Sequence, residues 1–294
     1  AELGDIKEIW EMGRFGHAFF LARAYAVTSD ETYPHTFWED VEDWIARNVP
    51  ETGPHWRCGQ EISLRVLAWI FGLYAFARSP ATTPERTTRM LGSVRDQMRH
   101  VEVVHGYATR CLRNNHAISE ATALFTVGTL FDRLPESARW RRRGLTSLER
   151  ETWQVYRDGV YVQHSMNYAR MVAQLYGWVL ALAGASATDP PGAIPAAARR
   201  LLRFLVGMQD RRSGALPNHG PNDTTLLLPL SACAARDFRP ALNALSVLLG
   251  EGPLYGPGPW EEEAAWLAGP PERVLPRDAP SRPPQIVSSD NDDA

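Results

Sequence analysis

Two adjacent amides and an imidazole, Asn114, Asn115 and His116 in RNNHAISE (113–120), stand directly before an apolar stretch of helical period, AISEATALFTV (117–127). A helix start needs one side-chain acceptor for its unpaired N–H groups, worth roughly 1 kcal/mol, which accounts for one residue of the three. The other two sit where the partial positive charge and free donors of a helix N-terminus attract an anion. Three further clusters carry polar side chains. DGVYVQHSMNY (158–168) leaves a helix through Asp-Gly, passes an alternating stretch with His164 near its end, and enters another helix near Ser165. There Ser165 reads as a cap and Tyr161 or Tyr168 as a half-buried aromatic, while a Tyr168 in the first turn of a helix can also donate or accept a proton. LPNHGPNDTT (216–225) sets His219 and Asn222 among ordinary turn residues, in the kind of loop that carries sites on a rigid scaffold. HWRCGQEISLR (55–65) places Glu61 and Arg65 at i, i+4, most simply an ion pair on a helix face.

Other chemistries leave no trace in the chain. GxGxxG, Walker, HExxH and GxSxG motifs are absent, and the histidines lack zinc-ligand spacing, so neither a cofactor nor a metal is expected in this chain. Cys58, Cys111 and Cys233 are far apart and odd in number, which suggests buried thiols rather than a disulfide frame or a metal cluster. A net charge of −3 exerts no long-range pull on polyanions and argues against nucleic acid, although individual arginine pockets can still bind an anion. Lys7 is the only lysine; the arginine bias suits bidentate carboxylate recognition but follows more simply from a GC-rich genome. Apolar runs such as FGLYAFA (71–77) are too short for a membrane span, and no charged-then-apolar leader is visible.

The elements that must position these residues are helical. With 294 residues and 44% apolar content the chain can bury a large core, and apolar residues recur at helical spacing almost throughout. The pattern predicts helices over 5–28, 34–48, 59–78, 84–109, 116–132, 136–157, 166–185, 192–208, 237–249 and 259–268, divided by Pro/Gly punctuation such as PETGP (50–54) and DPPG (189–192). Short connections imply antiparallel neighbours. Helix 59–78 is apolar on more than one face and must be enclosed by others. About ten helices exceed one four-helix core, so the expected fold is all-α: an incomplete α/α toroid with a concave cleft at one end, over residues 1–268. Residues 269–294, rich in Pro, Arg, Asp and Ser, read as a linker or disordered tail.

In order along the chain, WRCGQEISLR (56–65), NNH (114–116), the 158–168 segment ending in QHSMNY and NDTTLLLPL (222–230) resemble the heparinase II/III-type polysaccharide lyases. The resemblance runs over about residues 6–268 and matches that family's N-terminal toroid; the β-sandwich domain that normally follows is missing. It implies a carbon–oxygen lyase that cleaves uronic-acid-containing polysaccharides by β-elimination, and a bacterial protein working in the periplasm or outside the cell. The proton removed in that reaction lies next to a carboxylate whose charge must first be quenched. On this reading Asn115 and His116 hold the substrate carboxylate, Asn114 caps, and Tyr168 matches the family's catalytic tyrosine, acid toward the leaving oxygen and in some members also base. Glu61 and Arg65 would shape the cleft floor, with His164, His219 and Asn222 bordering it. A free tyrosine titrates near 10, so a base role needs a neighbouring cation; Arg65, Arg113 and Arg170 are the candidates.

The sequence departs from the family pattern in two places. Ala169 stands where a histidine commonly follows the tyrosine, and Thr224 follows Asn222 and Asp223 where relatives tend to have Gly. The family also draws a further histidine, and often a structural metal, from the missing domain. Two other readings therefore stand beside the lyase: a glycan-binding module without turnover, and a toroid glycoside hydrolase using two of Glu61, Glu120, Asp158 and Asp223, which requires a facing carboxylate pair roughly 5–10 Å apart.

Overall fold

The computed structural model describes residues 4–223 and 225–269. Eleven α-helices occur among them: α1 Ile6–Gly13, α2 His17–Thr28, α3 Thr32–Arg47, α4 Gly59–Ala75, α5 Pro84–Tyr107, α6 Asn115–Leu130, α7 Ser137–Glu151, α8 Met166–Ala185, α9 Ala193–Met208, α10 Arg239–Leu248 and α11 Glu262–Ala268. The only β-type pairing among the described residues is a single antiparallel bridge between Val155 and Tyr161, at the alternating stretch before α8.

The helices form two layers. α4, α6, α8 and α10 pack side by side in that order, and α5, α7, α9 and α11 lie outside them as returning partners. The inner helices are buried around nearly their whole circumference; α4 encloses Ile62, Val66, Leu67, Trp69 and Ile70, and α6 encloses Ala117 through Gly128 without a break. Such all-round burial requires a second shell of helices, and that shell is amphipathic: α7 buries Trp140, Gly144 and Leu148 and turns its arginines outward. This is the expected incomplete α/α toroid. α6 and α7 approach most closely because Gly128 and Gly144 lie at their contact: a Cβ at Gly144 would meet the Phe125 nitrogen at 2.5 Å, and one at Gly128 the Arg141 nitrogen at 2.3 Å.

The inner helices begin at a common end, each fixed by a local signal. Asn114 Oδ1 accepts from His116 N at 3.1 Å to cap α6, and Ser165 Oγ accepts from Tyr168 N at 3.1 Å to cap α8. Cys58 precedes α4 without a side-chain cap, and its carbonyl accepts from Ile62 N instead. The start of α4 is seated on α6 through Gly59, where an added Cβ would stand 2.4 Å from Glu120 Oε1.

Three expectations need correction. The stretch 5–28 is two helices, broken at Arg14–Gly16 with Phe15 in left-handed backbone at φ 59. The helix expected to reach 157 ends at Glu151, passing through a 3-10 turn, Thr152–Gln154, into the bridge. The cysteines are not uniformly buried: Cys111 is exposed on a π-helical turn, Ala108–Leu112, and Cys58 and Cys233 are half-buried, all three as free thiols. The tail over 270–294 lies outside the described residues, and no helix among the described residues is long and apolar enough to cross a membrane.

Candidate active site

Five segments meet where the inner helices begin. The break between α1 and α2 supplies Arg14, whose Nε and Nη2 donate to the two oxygens of Glu61 at 2.5 and 3.0 Å. Arg14 also donates to Glu11 and, at 3.3 Å, to Thr225 Oγ1. Glu61 lies in the first turn of α4 and is only 3% exposed. A buried carboxylate requires such a partner, since desolvation alone costs several kcal/mol per ion.

Within reach of this pair's charges stands His116, in the first turn of α6, with Nδ1 3.7 Å from Cys58 Sγ. Nε2 has no hydrogen-bond partner among the described residues. Burial pushes the imidazole pKa below its ordinary value; the Arg14 charge adds to this and Glu61 opposes it, so the ring is neutral at physiological pH. Also within reach of them is Tyr168, in the first turn of α8, donating to Asp223 Oδ2 at 3.0 Å. Burial, then the Asp223 charge and hydrogen bond, push its hydroxyl up to about 12 against a smaller opposing effect of Arg14. Burial would raise the Asp223 carboxyl, but hydrogen bonds from the Thr225 side chain and backbone and from Tyr168, with the Arg14 charge, bring it below the ordinary value. Asn167 Nδ2 also donates to Asp223 Oδ1, at 3.1 Å. The Arg14–Glu61 charges thus bear on both His116 and Tyr168, whose segments are 52 residues apart in sequence.

Other predicted residues are placed differently. Arg65 is fully buried, with Nε on Gln97, Nη1 on the Gly13 carbonyl, Nη2 on the His55 carbonyl and its guanidinium 4.2 Å over the Trp44 ring. It therefore neither shapes the cleft floor nor pairs directly with Glu61; carbonyl acceptors behind α4 draw it inward, and Arg14 takes Glu61 instead. The other cations proposed for Tyr168 are also engaged elsewhere. Arg113 lies over Trp153, and Arg170 lies over Phe238 while bonding the carbonyls of Ala235 and Thr225 and the Asn167 amide. The cation that acts on Tyr168 is Arg14, hidden from sequence reasoning inside what reads as one continuous helix.

Asn115 is 2% exposed, and its amide nitrogen donates to Gln60 Oε1 at 2.8 Å and faces Met171 Sδ at 3.5 Å. In this arrangement its donors are engaged inside the protein, and it ties the starts of α4, α6 and α8 together. The third loop does reach the site: His219 carbonyl accepts from Met166 N and Pro221 carbonyl from Ser165 Oγ, delivering Asp223 to Tyr168. Its side chains divide, however. His219 and His164 border a depression of about 200 Å³ that Glu61, His116 and Tyr168 do not line. Asn222, bonded to Asn218 at 2.7 Å, borders a second cavity of about 420 Å³ with Asn167, Arg170 and Arg236. No group of three or more His, Cys, Asp or Glu side chains able to hold a metal ion occurs among the described residues.

Comparison with known proteins agrees with this architecture. A heparin-sulfate lyase of Bacteroides stercoris is 27% identical over 202 residues, covering 58% of this chain and 29% of its own length. One from Bacteroides thetaiotaomicron is 31% identical over 181 residues, covering 58% and 25% respectively. This chain therefore spans less than a third of the length of these relatives. In fold it is similar to the crystal structure of heparinase III, with a TM-score of 0.59 at 23% identity over 69% of this chain and 31% of that one. A heparan sulfate lyase mutant from Pedobacter heparinus gives 0.56 at 23% identity, over 74% and 34%. The family described as the heparinase II/III N-terminus matches residues 6–203, two thirds of the sequence and every helix from α1 through most of α9, and the chain belongs to that family.

Proposed function

We propose that this chain is the helical part of a lyase that cleaves an acidic, uronic-acid-containing polysaccharide by β-elimination. The observation that supports this most is the Tyr168–Asp223 hydrogen bond beside the Arg14–Glu61 pair, whose charges also bear on His116. A tyrosine held at about 12 keeps its proton at neutral pH, which suits delivery of that proton to the leaving glycosidic oxygen as the C–O bond breaks. A neutral imidazole with an unengaged Nε2 suits hydrogen bonding to the sugar carboxylate, lowering the cost of the charge that builds up as the neighbouring C–H proton departs. Asn115 joins in this reading once its amide turns from Gln60 to the same carboxylate. Tyr168 serves as base only after Asp223 releases it. Asn114, Glu61, His164, His219 and Asn222 position the chain of sugars, and no cofactor is assigned to this chain. A polymer of this size and charge places the enzyme outside the cytoplasmic membrane.

The test is the ultraviolet absorbance of a new unsaturated uronate when the full-length protein meets heparan sulfate, hyaluronan, alginate or bacterial exopolysaccharide. Silence on all of them sinks the reading. A binding module without turnover is the second reading, favoured by Ala169 at the position after Tyr168. It predicts oligosaccharide affinity with no product. The hydrolase reading finds less support: Asp158 caps a turn at Val160, Glu120 is enclosed with His105, and Asp223 is held below the range of a general acid.

A further inference from the structure

α5 and α7 both pack on α6, and between them runs a channel of about 420 Å³. Its walls carry Arg110, from the turn that prolongs α5, and Arg139, Arg142, Arg143 and Arg150 of α7, against a single carboxylate, Glu102. Glu102 engages Arg139 at 2.7 and 2.9 Å and reaches Arg143 at 3.6 Å. Arg110, Arg142 and Arg150 have no carboxylate partner among the described residues. The floor is polar as well: Ser147 Oγ and His105 Nε2 are 2.7 Å apart, and His105 Nδ1 is 3.0 Å from Glu120 Oε2.

In a chain of net charge −3 this concentration of guanidinium groups is local and directional. Arg139, Arg142 or Arg143, and Arg150 fall on one face of α7, a span of roughly 16 Å at 1.5 Å per residue. Planar guanidinium forks match sulfate and carboxylate oxygens two at a time. A row of them along a groove fits a linear polymer with repeating anionic groups better than one small anion. We propose that the α5–α7 channel is a second binding site for an acidic polysaccharide strand, one that anchors the polymer and performs no chemistry. The choice of a sugar polymer rests on the function proposed above; the anionic character of the ligand rests on the channel alone.

The test measures heparan sulfate oligosaccharide binding by calorimetry on the chain and on an Arg142→Ser/Arg150→Ser double variant, at two salt concentrations. Both arginines are exposed, so the fold should survive, and an unchanged melting temperature checks this. The expected result is at least a tenfold weaker complex and a shallower salt dependence, as charge-assisted contacts of this kind are each worth about a factor of ten or more. Arg78→Ser, at an exposed arginine outside the channel, should leave this binding unchanged. Unaltered affinity in the double variant overturns the proposal, as does tighter binding of a DNA duplex than of the oligosaccharide in the same channel. The two proposals fail separately. A full-length protein that yields no unsaturated product, while the chain still binds through Arg142 and Arg150, removes the lyase reading alone. Product formation with binding indifferent to these arginines removes only the anchoring site.

Discussion

At their first turns α4, α6 and α8 carry Glu61, His116 and Tyr168; near their last turns the same helices carry Ile70 and Phe71, Leu130, and Trp178 and Leu182. The second set, closed by Trp266 and Leu267 from α11, lines an almost wholly apolar depression of about 240 Å³. The first set is tied by charge and hydrogen bonds to Arg14 and Asp223. The contrast follows from helix direction. Free N–H donors and the positive end of each dipole point to the Glu61 end, where an anion is stabilised, whereas the other end presents carbonyls that the chain screens with bulky apolar side chains. The charged, hydrogen-bonded candidate site and apolar cohesion are thus divided between the two ends of one set of helices.

Substitutions at each end test that division. Tyr168→Phe in the full-length protein should lower the elimination rate by about 10²–10⁴ with little change in melting temperature; a wild-type rate removes Tyr168 from the mechanism. Glu61→Ala leaves the Arg14 guanidinium without its buried partner and should cost roughly 3–5 kcal/mol of stability, read from the urea midpoint. Loss of less than about 1 kcal/mol there would mean Arg14 finds Glu11 or Thr225 an adequate substitute. At the apolar end, Trp178→Ala should cost about 3 kcal/mol while sparing oligosaccharide binding, and a binding defect as large as that of a site variant would erase the distinction between the ends. Asn114→Ala, which removes the cap of α6, should cost about 1 kcal/mol of stability. The last effect is a slope with pH. Burial raises the Glu263 carboxyl to about 8, against the stabilising hydrogen bond from Gln174 and the Arg170 charge. The folded state holds that proton more tightly than the unfolded chain, so the contribution is complete below about pH 4.5 and fades as pH rises toward 8. Glu263→Gln should flatten this decline in denaturation midpoint.

Much of the scaffold was legible because its signals are local. Helical period marked the inner helices as enclosed, and Asn114 and Ser165 were readable as caps because a cap acts within three residues. The candidate site was legible only where it sits near those caps: His116 and Tyr168 follow Asn114 and Ser165 by two and three residues. Partners were another matter. The i, i+4 spacing of Glu61 and Arg65 suggested a pair, yet Glu61 takes Arg14, 47 residues away, because a single sequence does not say which of two arginines the interior will enclose. Asp223 was visible only as one carboxylate among several, its role fixed by a loop docking on α8 through the backbone carbonyls of His219 and Pro221. Backbone contacts of this kind depend on conformation rather than side-chain identity, so no residue type announces them.

Gly59 has no side chain to contribute, and its importance lies in that lack. With Glu120 Oε1 only 2.4 Å and Val104 Cγ2 2.9 Å from where a methyl group would stand, even alanine would require the Glu120 carboxylate and the Val104 side chain to shift. Glu61 rides two residues further along that turn, so the close seating of the candidate site's first helix depends on an atom that is not there. Widening residue 59 would therefore press on the candidate site without removing any polar group from it.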